Sequence, residues 1–252
     1  MNILVLLHPL RNPASFTVNR KAQKIFTHRD EYVINPADKN ALETALRLDA
    51  TVTAVAFGDV PADEAVRLAR AMGAARASRV SDPALTHADA SAYVAVLQQV
   101  LAHIGGADLI MLGADVVDSD LAQIGPRLAQ ALNWPFLPGA HQLALAGRTL
   151  KAVVPRHGIF HNTEADLPAV VIVPRDSNQP RYAHGREVIN TFKAKEAVEV
   201  LTLADVQLTE AEVAPLVEVR GQSFPPEREL GQRLEGAPAD MAQQVMDVIQ
   251  KI

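Results

Sequence analysis

The sequence predicts an α/β fold with a doubly wound, mostly parallel sheet, an antiparallel meander and an extended C-terminal arm. Three observations predict it. Short, branched, nearly continuous apolar runs read as strands buried on both faces. Amphipathic stretches of helical length separate them, as right-handed crossovers between parallel strands require. The chain has 252 residues, 48% of them hydrophobic, enough for one substantial core without disulfide staples.

The elements follow in order. "NILVLL" is the first buried strand. The run "MNILVLLHPL" has neither the basic leader nor the small-residue cleavage site of a signal peptide, and it is far short of a membrane span; a cytoplasmic location without membrane insertion is expected. "NPADKNALETALRLD" gathers Ala41, Leu42, Ala45, Leu46 and Leu48 near one helical face, with Pro36 suited to the first turn after Asn35. "TVTAVAFG" is the second strand, and "PADEAVRLARAMGA" is a helix stopped at Gly73. "RASRV" is a short third strand. "THADASAYVAVLQQVLAHIGG" offers a Thr86 cap with Asp89 three residues on, then an apolar face through Tyr93, Leu97, Val100 and Leu101 and a glycine stop. "ADLIMLG" is the next buried strand. After Trp134, the alternating "HQLALAGRTLKAVVPRHGIFHNTEADLPAVVIV" reads as an antiparallel meander returning to the main sheet.

Composition removes several function classes. Twenty-nine acidic against 24 basic residues give a net charge of -5, which supplies no broad positive field for nucleic acid or anionic lipid. Cysteine is absent, so thiol catalysis and cysteine metal sites are out of reach. His157 and His161 lie four apart on a predicted strand, about 13 Å, too far for one metal ion. There is no nucleophile elbow, no phosphate-binding loop of the Walker type and no glycine fingerprint opening a helix. The acidic residues read as solvated helix faces, so the expectation is a protein that is not an enzyme and has no acid, base or nucleophile of its own.

The informative stretch is "DSDLAQIGPRLAQALNWP", where a Gly-Pro pair sits in an amphipathic pattern. Proline costs little in a first helical turn, so Pro126 places the helix start near 122–125, followed by Ile124, Leu128, Ala131 and Leu132 on the apolar side. First-turn N–H groups lack partners within a helix, and a helix that starts beyond the carboxyl end of a parallel strand is an anion seat. Gly125 carries no β-carbon to hold a ligand away. The same residues also read as a capped turn, since Asp118, Ser119 and Asp120 are good helix caps.

The stretch resembles the electron-transfer flavoprotein β-subunit family. Its "D-x-D-x-x-Q-x-G-P" is matched by Asp118, Asp120, Gln123, Gly125 and Pro126. In order along the chain, "INPADKNALETALRL", "LARAMGAARA", "LPAVVIV", "NQPRYA", "FKAKEAVEVLTLADV" and the terminal "DVIQKI" are also similar to that family's motifs. The resemblance implies a Rossmann-like, adenine-nucleotide α-hydrolase-like domain over 1–206 and an arm over 207–252 that wraps an α subunit. It implies an FAD shared with that subunit, a second nucleotide that is AMP or a second FAD, an electron-donating dehydrogenase and a quinone oxidoreductase as acceptor. The nucleotide site it implies falls on Leu6, Asn35, Phe57, Asp118, Ser119, Asp120, Ala122, Gln123, Ile124 and Gly125. From the residues alone, Leu6 and Phe57 also read as core, and Asn35 as a helix cap.

Departures from the family pattern fall where partners are met. "LLHPLRNP" puts His8 and Pro9 where the family has a Lys-Gln or Lys-Arg pair, Ala37 stands in place of an aromatic, and Phe16 offers an aromatic edge toward the partner's flavin or simple packing. The family's docking segment, "LPNIMKAKKK", is replaced by "AHGREVINTFKAKEAVEV": the leucine-proline step is missing and Glu196 interrupts the basic run. Docking is therefore expected through His184, Gly185, Val188, Ile189, Phe192, Lys193 and Lys195, to a donor other than an acyl-CoA dehydrogenase, such as an amine or methylated-glycine dehydrogenase. The final helix, with Met241, Val245, Val248 and Ile249 on one side, fits an arm. The competing reading is a stand-alone adenine-nucleotide sensor resembling universal stress proteins, which has no use for such an arm.

Overall fold

The computed structural model describes residues 1–116, 121–193, 198–218, 220–221, 223–226, 231 and 233–250. Its elements in chain order are β1 (Asn2–Leu7), β2 (Pro9–Arg11), β3 (Phe16–Asn19), β4 (Lys24–Thr27), β5 (Tyr32–Ile34), α1 (Pro36–Arg47), β6 (Thr51–Phe57), α2 (Ala62–Met72), β7 (Arg76–Val80), α3 (Ala90–His103) and β8 (Leu109–Gly113). They continue with α4 (Ile124–Leu132), β9 (Phe136–Leu137), β10 (Gln142–Ala146), β11 (Thr149–Arg156), β12 (Ile159–Asp166), β13 (Ala169–Val173), α5 (Gly185–Lys193), β14 (Glu199–Leu201) and α6 (Pro238–Ile249).

Seven strands form the central sheet in the order β14-β7-β6-β1-β8-β13-β9, every neighbouring pair parallel. Among the described residues, antiparallel pairing is confined to separate sheets: β10-β11-β12, and two ribbons, β2-β5 and β3-β4, between β1 and α1. The ribbons escape the sequence pattern because β3 and β4 have only four residues each, too few for a strand signal, and their side chains are mostly exposed.

Burial on both faces explains why the parallel strands read as unbroken apolar runs. Ile3, Val5 and Leu7 face Ala41, Leu42, Ala45 and Val66 of α1 and α2, while Leu4 and Leu6 face Leu97, Val100 and Leu128 of α3 and α4. Alternate residues of one strand thus feed two cores.

Helix ends correct two expectations. Asp89, rather than Thr86, caps α3, its carboxylate accepting the Ser91 and Ala92 N–H groups at 2.9 and 3.0 Å. The Thr86 hydroxyl donates to the Pro83 carbonyl and closes the preceding turn. In α4 it is Ala129, not Ala131, that turns inward with Leu128. Pro126 does fall in the first turn of α4, and Gly73 stops α2 at φ +122°.

The packed body continues to Val213, which is fully buried against the α3–α4 side. Beyond it the Leu216 and Val217 N–H groups donate to the second oxygen of Asp89, at 2.7 and 3.2 Å. No residue of α6 is buried, and Val245, Met246, Val248 and Ile249 are exposed.

Candidate functional site

The order of strands reverses at β1: β6 and β7 lie on one side of it, β8 and β13 on the other. Open parallel sheets bind ligands beyond the carboxyl ends of the strands at such a switch point. The pairing registers show the crevice directly. β1 pairs with β6 as far as Leu7↔Ala56 and β8 with β13 as far as Gly113↔Val173, but the β1–β8 ladder stops at Val5↔Met111. The two central strands part for their last two residues.

The first turn of α1 spans that gap. Asp38, 3% exposed, accepts the His8 N–H on Oδ2 and the Gly113 N–H on Oδ1, both at 2.8 Å. Asn35 precedes the helix at the cap position but makes no side-chain cap bond; its amide instead donates to the Asp115 carbonyl at 2.7 Å. Its Oδ1 is the one buried side-chain polar atom without a hydrogen-bond partner among the described residues. Such an atom is costly unless something supplies a donor. Burial pushes the Asp38 carboxyl up to about 7, with the nearby Asp115 charge adding to the rise; hydrogen bonds from Gly113, His8 and Asn35 work in the opposite direction.

The other residues expected at the site are placed as follows. Leu6 and Phe57 are buried in the core at the ends of β1 and β6. Phe57 meets Tyr93 edge-on, with ring centroids 4.5 Å apart, and both line a pocket of about 250 Å³ that also borders Gly58, Asp59 and Ser81. Ala122 and Gln123 are exposed in the turn that leads into α4, Gln123 accepting from Arg127 at 2.9 Å, while Ile124 and Gly125 are buried. The reason expected for Gly125 is corrected: a β-carbon there would stand 2.5 Å from Cδ1 of Ile172, so the missing side chain lets α4 lie close on β13. Ile124 and Gly125 can therefore offer a ligand only their backbone. Asp118, Ser119 and Asp120 lie outside the described residues.

Sequence reading missed Asp38. The signal was present, since Asp38 precedes Ala41, Leu42 and Ala45 by three, four and seven residues and thus stands in the apolar stripe of its own helix. It also missed the polar face of α1. Asn40 donates to the Asn178 carbonyl at 2.7 Å, Asn178 returns bonds to the Asn40 carbonyl and Thr44, and buried Glu43 accepts from Arg47 at 2.6 Å and Arg181 at 2.8 Å. Burial of Glu43 favours its neutral form, but the hydrogen bonds from Arg181 and Arg47 prevail and hold its carboxyl below the usual range. "NPADKNALETALRL" and "NQPRYA", distant in sequence, are two sides of one contact.

The expected docking residues gather on α5. Val188 and Thr191 are half-buried, and the Thr191 carbonyl accepts from Arg67 of α2. Ile189 and Phe192, one turn apart, are 52% and 46% exposed. His184 and Gly185 are exposed at the start of the helix and Lys193 ends it, whereas Lys195 lies outside the described residues. Among the described residues no helix is long and apolar enough to cross a membrane.

Comparison with known proteins agrees with this arrangement. The family model for the electron transfer flavoprotein domain matches residues 23–206. The electron transfer flavoprotein subunit beta of Sus scrofa is 32% identical over 211 residues, 81% of each chain. That of Bacillus subtilis is 30% identical over 228 residues, 87% of this chain and 86% of the relative. That of Thermoanaerobacterium thermosaccharolyticum is 29% identical over 217 residues, 84% and 83% of the two. Because the family model covers most of the chain, with the α1 turn, β8 and the α4 start inside its span, and two relatives at 30% and 32% identity each cover more than four-fifths of this chain, the chain belongs to the electron transfer flavoprotein family.

Proposed function

We propose that this chain is the β subunit of a heterodimeric electron-transfer flavoprotein that takes electrons from a dehydrogenase and passes them to a quinone oxidoreductase in the cytoplasm. The observation that carries the reading is agreement with β-subunit relatives over more than four-fifths of the chain. The redox chemistry is that of the FAD, held mainly by the α subunit. The work of this chain is to bind, position and select.

The crevice suits an adenylate, AMP or the adenylate part of a second FAD. Asn35 Oδ1 needs a donor of the kind an adenine amine or ribose hydroxyl provides. The turn through Ala122 and Gln123 and the start of α4 at Ile124 and Gly125 present backbone N–H groups of the kind that suit a phosphate. Leu6 and Phe57 would contribute apolar surface, and Asp118, Ser119 and Asp120 belong to the same segment. The part of 207–252 that lies beyond Val213 would wrap the α subunit, since the exposed apolar side of α6 finds no cover among the described residues.

The donor would dock on α5, with Ile189 and Phe192 as apolar anchors; His184, Lys193 and Lys195 belong to the same stretch of sequence. An amine or methylated-glycine dehydrogenase fits the altered segment better than an acyl-CoA dehydrogenase. Co-expression with the α subunit, followed by extraction and counting of FAD and AMP per heterodimer, tests the assignment. One flavin and one adenylate per yellow heterodimer are expected. A stable nucleotide-binding homodimer with no affinity for α would mark a sensor instead.

A further inference from the structure

We propose that Asp38 is a proton-dependent positioning residue: by joining the main-chain ends of β1 and β8 across the gap in their ladder, it fixes the crevice that takes the adenylate, and binding of the phosphate is accompanied by uptake of a proton at Asp38. This rests on the adenylate reading above and adds to it a residue and a regulation.

The geometry makes Asp38 a substitute for missing strand pairing. Beyond Val5↔Met111 no ladder bond links β1 to β8, and the first main-chain donors past the gap, His8 N–H and Gly113 N–H, both end on this one carboxylate. Gly113 has no β-carbon, and one placed there would stand 2.5 Å from Asp38 Oδ1. Asn35, three residues earlier, holds the Asp115 carbonyl, so one helical turn sets both lips of the crevice.

The electrostatics set the direction of the linkage. The strands that α1 packs against, Asn2–Leu7, Thr51–Phe57, Leu109–Gly113 and Ala169–Val173, carry no charged side chain. Past their carboxyl ends come His8 after β1, Asp59 after Gly58, Asp115 after β8, and Arg175 and Asp176 after β13; Lys39 neighbours Asp38 on α1 itself. Of these, Asp115 adds to the burial of Asp38 in favouring the neutral acid. An anion arriving in the crevice acts in the same sense and is poorly screened by salt at a buried group. The neutral acid keeps a strong acceptor in its carbonyl oxygen and a weaker one in its hydroxyl oxygen, so the bridge persists.

The test is calorimetric titration of the nucleotide-stripped αβ complex with AMP, in buffers of different ionisation heat, between about pH 7 and 8.5, where a phosphate monoester is already doubly ionised. Affinity should fall roughly tenfold across this window with net proton uptake. Adenosine, which lacks the phosphate, should bind without the uptake. Asp115→Asn, at an exposed position, should move the fall to lower pH, and Asp38→Asn should abolish it. If the Asp38→Asn complex does not fold, the Asp115→Asn comparison decides. AMP binding that takes up no proton, or a profile unmoved by Asp115→Asn, overturns the proposal. Failure of AMP to bind at any pH overturns the adenylate reading itself, and this inference with it.

Discussion

The carboxylate of Asp38 occupies the space that a side chain on Gly113 would need. Oδ1 of Asp38 accepts the Gly113 N–H at 2.8 Å, and a β-carbon on Gly113 would stand 2.5 Å from that oxygen and 2.7 Å from both the Asp38 nitrogen and the Ala37 β-carbon. Two of these three neighbours belong to or adjoin helix backbone, which cannot swing aside. Gly113→Ala should therefore force α1 away from β8 and cost roughly 3 kcal/mol. Gly125→Ala meets the far end of Ile172 instead and should cost only about 1 kcal/mol, most of it recovered by Ile172→Val, which removes Cδ1. Urea unfolding of the three variants checks the order, and equal costs for the two glycines would refute it.

How much of this was legible follows from what each signal depends on. The parallel strands and the helices over them were readable because each strand feeds two cores and each helix feeds one, so period and composition agree. Pro126 located the start of α4 because a missing N–H is tolerated in one place only. The purpose of Gly125 was misread because the sequence does not say which side of a helix meets the sheet, and Ile172, 47 residues later, fills that side. Asp38 and Glu43 were passed over as solvated acids, since their partners, Gly113, His8 and Arg181, are brought to them only by the completed fold.

The same burial gives the chain an unusual pH response. The folded state holds the Asp38 proton up to about pH 7, far above the ordinary carboxylate range that applies in the unfolded chain. Between those limits the folded state binds more protons, so this group makes stability fall as pH rises, with the full cost in place above about 7. Glu43 acts in reverse: its depressed folded value contributes stability above the ordinary range that is lost in acid. Denaturation midpoints of the wild type and Asp38→Asn should therefore converge, or cross, on going from pH 5 to pH 8. A wild-type advantage that grows with pH would contradict the assignment.

Asp89 ties the arm to the body. One oxygen caps α3 through Ser91 and Ala92, and the other holds the Leu216 and Val217 N–H groups. Burial favours the neutral acid, but these four backbone donors together outweigh it and keep the Asp89 carboxyl below the usual range. Asp89→Ala should cost about 1–2 kcal/mol through the lost cap. It should also release the chain after Val213, so that limited proteolysis cuts near 216 sooner in the variant than in the wild type. Unchanged cleavage would mean that the arm is held by something other than this carboxylate.

Under the proposed docking on α5, substitution of Ile189 and Phe192 separates docking from folding. Both lie on the outer side of α5, whereas Val188 and Thr191 face inward and Arg67 holds the helix through the Thr191 carbonyl. Exposed apolar side chains of this size, one turn apart, are the usual anchors of a helix that enters a partner's groove. Replacing both by serine removes that surface without emptying a core, so stability should move by no more than roughly 0.5–1 kcal/mol. Flavin and AMP content should stay at wild-type values. What should change is the rate at which the donor dehydrogenase reduces the complex, which should fall at least tenfold, mainly through weaker binding, as the loss of two anchors of about 1–2 kcal/mol each implies. Stopped-flow reduction at several donor concentrations resolves this, because weakened docking is overcome by more donor and slowed electron transfer is not. Wild-type rates in the double variant would place the docking surface elsewhere on the molecule.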